Sequence, residues 1–150
     1  MSIESESFIN SIEIMMSECD CLVEECKEAN KKLLNLNGGD FWDEHKRVCL
    51  RFLDLKDNIF YHYYMFVLVF SECKKKLKEI TKEKNKLNKR FLSSTDSLFY
   101  CCEQAEGKDY YVGDNLVINE TMSNLIELML SSIEFLKTLK RSAMMLPEEG

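Results

Sequence analysis

Residues Ile59 to Phe70 read IFYHYYMFVLVF, and how this stretch is covered decides the fold. It lies in a helical pattern, yet its apolar and aromatic residues occupy every face. A helix that is hydrophobic all round must be buried all round, and one hairpin partner covers only one side. Each large side chain gains roughly 1.5–3 kcal/mol on burial, so leaving several wet is costly. Two arrangements cover the belt. In one, the chain folds into a compact bundle with this segment at its centre. In the other, two protomers cross at the belt as a symmetric homodimer. The second is the expectation, with Phe60, Tyr63, Tyr64, Phe66, Val67 and Phe70 as the self-association residues. The run is too short to span a bilayer and contains His62.

Outward from the belt, the same stripe continues in both directions. Trp42, His45, Cys49, Phe52, Lys56, Ile59, Tyr63, Phe66, Phe70, Cys73, Leu77, Ile80, Lys84, Leu87 and Phe91 alternate steps of four and three. That spacing is the seam of a coiled coil. It predicts a long central helix over residues 41–105, about 90 Å if unbroken at ~1.5 Å per residue. Ser93-Ser94-Thr95-Asp96 offers a capping signal for a break within it. A first helix over 6–36 carries Phe8, Ile12, Met15, Cys19, Leu22, Cys26, Ala29, Leu33 and Leu36 on one stripe. Asn37-Gly38-Gly39 is expected to end it, with Asp40 capping the next. A loop containing Tyr110 and Tyr111 precedes a third helix over 116–146, which Pro147 ends. The fold class is all-α: three long helices in an elongated, antiparallel, coiled-coil-like bundle. Residues 1–150 read as a single helical domain with helix 2 as its spine.

The formal net charge of −6 does not suit a general nucleic-acid binder. The start, Met1-Ser-Ile-Glu-Ser-Glu-Ser, lacks a signal peptide's basic and apolar regions. Seven cysteines in no scaffold spacing point to a reducing, cytoplasmic setting. Cys19, Cys26, Cys49, Cys73 and Cys101 fall on seam positions, where a thiol packs as a small apolar group. His45 and Cys49 share a helical face, as do Cys19, Cys21 and Cys26 less closely, but no CxxC knuckle accompanies them. HExxH, GxSxG and P-loop motifs are absent. The expectation is therefore no enzyme, no catalytic residue, no metal, no cofactor and no small-molecule substrate.

One carboxylate pattern supports a competing enzymatic reading. Glu25-x-x-Glu28 is followed by Asp54-x-x-Asp57. Paired acids on antiparallel helices can hold Mg²⁺ against a nucleotide. The pattern resembles the all-α nucleotide pyrophosphatases of the MazG type, which implies a metal-dependent hydrolase. It departs from that family with Asp at the third position, where Glu is preferred, and with Lys56 between the second pair.

Charge distribution carries the remaining signal. The first helix is acidic through Glu4, Glu6, Glu13, Glu18, Asp20, Glu24, Glu25 and Glu28. Lys74, Lys75, Lys76, Lys78, Lys82, Lys86, Lys89 and Arg90 make the distal spine basic and form the candidate partner-binding face. A basic run without interleaved aromatics suits an acidic protein surface better than a single-stranded nucleic acid. The acidic helix is expected near this stretch, within one chain or across a dimer. Short-loop topology instead places it beside residues 40–70. The leading functional expectation is a non-enzymatic helical scaffold or adaptor that self-associates and binds proteins. The compact-bundle alternative resembles the apoptosis-regulator architecture, without a signature motif, and implies a pathogen-type protein that binds host factors.

Overall fold

The computed structural model describes residues 3–32, 38–105 and 114–145, with side-chain surroundings for 3–31, 46–94 and 120–145. It contains α1 (Ile3–Lys32), α2 (Gly38–Val69), α3 (Lys74–Ala105) and α4 (Asp114–Met145). There are four helices rather than three, because the expected spine reverses direction at residues 70–73. The proposed break at Ser93–Asp96 does not occur, since α3 runs straight through it. Gly38 and Gly39 lie inside α2, so Asp40 is not its cap. The end of helix 1 beyond Lys32, the Tyr110–Tyr111 loop and Pro147 lie outside the described residues.

The reversal uses no glycine or proline. Phe70 N–H donates to the Phe66 carbonyl (2.9 Å), closing the last α-helical turn. Cys73 N–H then donates to the Phe70 carbonyl (3.1 Å), and Lys74 N–H to that of Glu72 (3.0 Å). The Cys73 carbonyl accepts the first bond of α3, from Leu77 N–H at 3.0 Å. Energetics explain the choice. Breaking the helix sacrifices a few backbone bonds, each worth about 0.5–1.5 kcal/mol net. Folding back buries Phe60, Tyr63, Phe66, Ile80, Leu87 and Phe91, at roughly 1.5–3 kcal/mol each.

Neighbours in sequence pack antiparallel. α1 packs on α2 and α4, and α3 packs on the same two helices. α2 and α4 also meet across the diagonal, whereas α1 and α3 do not touch among the described residues. All four stripes face one core. α1 supplies Phe8, Ile12, Met15, Cys19, Leu22, Cys26 and Ala29, while α4 supplies Met122, Leu125, Met129, Leu136, Leu139 and Ala143. Phe91 of α3 stacks on Phe52 and meets Phe60 edge-on, with both centroid distances 5.4 Å. Near the α2–α3 turn, Phe8 packs against Phe66 (5.9 Å) and Phe70 (6.0 Å).

Polar bridges fix the register. His62 Nδ1–H donates to the Asn58 carbonyl at 2.7 Å, because a carbonyl can only accept. In the neutral ring, Nε2 then accepts from the Ser11 hydroxyl of α1 at 2.6 Å. Tyr63 and Thr81 hydroxyls bond across α2 and α3 at 2.7 Å. Lys140 of α4 pairs with Glu13 of α1 at 2.8 Å, and Arg90 of α3 donates to Ser131 of α4 at 2.7 Å. No helix among the described residues is long and apolar enough to cross a membrane.

Candidate interaction site

The belt closes on one side only. Phe60, Tyr63 and Phe66 are buried inside the protomer, and Val67 and Phe70 are half-buried. Of the six residues assigned to self-association, only Tyr64 is exposed. The uncovered face instead consists of Tyr61, Tyr64 and Leu68, which are 57%, 55% and 72% exposed. Their steps of three and four place them on one stripe, opposite the core stripe Ile59, Tyr63, Phe66 and Phe70. That second periodicity was present in the sequence, hidden because both faces of the belt are apolar. The exposed stripe extends through Asp57 and Asp54 to Leu50, which is 52% exposed.

Beside this face lies the basic start of α3. Lys84 Nζ sits 5.3 Å from the Tyr63 ring centroid and 5.6 Å from that of Tyr64, a cation–π arrangement that orients the exposed tyrosine. Lys74, Lys75, Lys78, Lys82, Lys86, Lys89 and Arg90 are exposed and Lys76 is half-buried. Lys76 pairs with Glu79 (3.5 Å) and Lys86 with Glu83 (3.7 Å) along the same helix. Lysines 74–76 occupy the first turn of α3, which has no acidic residue. Cations there oppose the helix macrodipole, so this basic start does not serve helix stability.

Within one chain, the acidic and basic segments do not meet. α1 and α3 occupy opposite corners of the bundle, as the short-loop topology requires. The acidic helix satisfies part of its charge elsewhere. Glu24 pairs with Lys27 (3.4 Å) and Glu28 with Lys31 (3.3 Å). Glu25 Oε1 accepts from Arg51 Nη1, and its Oε2 lies 3.6 Å from Arg47 Nη1.

That arrangement bears on the carboxylate pattern. Glu25 is held between two arginines, while Asp54 and Asp57 face solvent. Among the described residues, no three His, Cys, Asp or Glu side chains converge as a metal site. Glu25, Glu28, Asp54 and Asp57 therefore do not form the cluster that a MazG-type hydrolase needs. The His45 side chain lies outside the described surroundings, as do Cys101 and Cys102.

Cys19, Cys26 and Cys49 are buried, Cys73 is half-buried and Cys21 is exposed. Burial pushes the Cys19 thiol up to about 12, with Asp20 and Glu18 adding to the effect. Burial raises Cys26 to about 12 as well, with Glu25 adding and Arg47 opposing. Such thiols stay protonated and act as packing groups rather than nucleophiles.

An open groove of about 550 Å³ runs between α3 and α4, lined by Glu83, Lys86, Leu87, Arg90, Ser131, Glu134, Phe135 and Thr138. Its two acids offset its two bases, so it carries no preference for a charged ligand. The uncovered α2 stripe and the adjoining lysines are the better candidate. Comparison of the chain with family models, curated proteins and solved structures finds no match, so the reading of this surface rests on its own chemistry.

Proposed function

We propose that the chain is a non-enzymatic helical interaction module, with its helices packed side by side in coiled-coil fashion. It self-associates through the belt and presents the basic face of α3 to an acidic protein partner. One observation carries this reading: Tyr61, Tyr64 and Leu68 form an aligned apolar stripe that the chain's own bundle leaves uncovered. Single exposed apolar residues need no explanation, but an aligned stripe rimmed by charge marks an interaction surface. The lysine face supports the second part, because α1, the acidic helix of the same chain, does not reach it. The homodimer and the cytoplasmic setting belong to this proposal. Nothing in the site favours a second class of function.

Solution mass tests the reading. Light scattering across a concentration series should show reversible association, and Leu68→Glu should abolish it while leaving helicity unchanged. A monomer at hundreds of micromolar would overturn the self-association reading.

A further inference from the structure

We propose that the outer face of α2 pairs antiparallel with the same face of a second copy, stacking Tyr61 against Tyr64 about the two-fold axis and setting Asp54 and Asp57 opposite Lys74 and Lys78. The inference rests on the self-association reading and specifies its register.

Asp54, Asp57, Tyr61, Tyr64 and Leu68 recur at three, four, three and four, and all are exposed. They form a single seam down the solvent side of α2. When identical seams pair antiparallel, position 61 opposes 64, position 57 opposes 68, and position 54 opposes 71. The tyrosines then meet twice around the axis, which suits their large apolar rings and polar tips.

The neighbouring helix supplies the counter-charge. Thr81 of α3 is bonded to Tyr63 of α2, and Lys84 covers Tyr63 and Tyr64. Counting back from Thr81 by three and then four reaches Lys78 and Lys74, on the same side of α3. With α2 and α3 antiparallel and Thr81 opposite Tyr63, these lysines stand level with Phe66 and Phe70, within two residues of positions 68 and 71, a gap of about 3 Å that a lysine stem spans. Asp57 of one copy therefore approaches Lys78 of the other, and Asp54 approaches Lys74. None of these four side chains has an ion-pair partner within its own chain among the described residues.

The surface thus carries an apolar centre with acid on one side and base on the other, a self-complementary layout that suits a two-fold contact. Parallel pairing would bring aspartate against aspartate and lysine against lysine, and like charges reject that register. A purely acidic partner seated on this seam would leave Asp54 and Asp57 opposed by like charge, so the acidic partner of the proposed function is left the rest of the basic face, Lys82, Lys86, Lys89 and Arg90. The seam from position 54 to 71 is about 26 Å long at ~1.5 Å per residue. With α3 alongside, the contact totals on the order of 1,000 Å², at the low end for stable interfaces. The pairing should accordingly depend on concentration.

Charge reversal tests the register. The variants D54K/D57K and K74E/K78E change only exposed positions, and circular dichroism checks that each remains folded. Sedimentation equilibrium should show the dissociation constant of each weakened at least tenfold. Mixing the two variants should restore association to the wild-type range, because each then offers the charge that the other lacks. A wild-type dimer unaffected by either variant, or variants that fail to recover on mixing, would overturn this register while leaving self-association standing. A wild type that stays monomeric, with its lysine face binding an acidic peptide or a lipid surface instead, would overturn the pairing and the reading beneath it.

Discussion

The α2–α3 hairpin makes a quantitative prediction at Phe52 and Phe91. Both are fully buried, and their rings stack at 5.4 Å with an interplanar angle of 25°. In an unbroken spine, the two residues would lie about 58 Å apart, at ~1.5 Å for each intervening step. Truncating either to alanine should cost about 3–5 kcal/mol. Both together would approach the whole stability of a typical domain, about 5–15 kcal/mol. Leucine is the better probe, because it keeps most of the buried area while removing the ring. Each Phe→Leu change should cost about 1 kcal/mol through lost area, plus the shared ring–ring contribution of about 0.5–1.5 kcal/mol. That shared part is lost once, not twice, so F52L/F91L should be less destabilised than the sum of the singles by about 0.5–1.5 kcal/mol. Urea unfolding followed by far-ultraviolet circular dichroism measures all four corners of the cycle. Distant sites add to within about 0.3–0.5 kcal/mol, so strict additivity would refute the hairpin and restore the continuous spine.

Further consequences can be measured separately. Ser11→Ala should lower stability by about 0.5–1.5 kcal/mol, because it removes the part-buried hydrogen bond from Ser11 to Nε2 of His62; an unchanged urea midpoint would refute the α1–α2 register. Cys21 should be alkylated rapidly in the folded protein, whereas peptide mapping should find Cys19 and Cys26 modified only as the chain unfolds. Because both buried thiols are raised from 9.0 to about 12, the folded state holds their protons where the unfolded state releases them. Their contribution is complete below pH 9 and is lost as pH rises from 9 towards 12, so stability should fall across that window; a flat profile would contradict their burial. Reversing Lys74, Lys75, Lys76 and Lys78 to Glu should leave thermal stability unchanged or slightly higher at monomeric concentrations, since acid suits the start of a helix. A marked fall in that experiment would mean that α1 does pair with the basic stretch.

The helical class and the core-facing stripes were legible in the residue order. Spacing of three and four follows directly from the pitch of the helix. Ile12, Leu22, Cys26, Phe52, Ile59, Leu125 and Leu139 therefore reach the core as their periodicity predicted. Glu25 shows the limit of a local motif. Its spacing from Glu28 matched a metal-binding pair, but Arg47 and Arg51 reach it from another helix, and that approach is a property of packing.

By itself, the sequence determined the helical class and, outside the belt, which face of each helix seeks burial. It did not determine where the long spine turns, because Phe66, Phe70, Cys73, Leu77 and Ile80 keep one phase whether the chain runs straight or doubles back. A stripe records which side is apolar and carries no sign for chain direction. Only tertiary packing decided the turn, since burying Phe60 and Tyr63 against α3 outweighs the few hydrogen bonds lost at residues 70–73. The same choice left Tyr61, Tyr64 and Leu68 uncovered. In a segment apolar on every side, local pattern cannot say which face the fold will leave in water, because exposure depends on how many helices arrive to cover it.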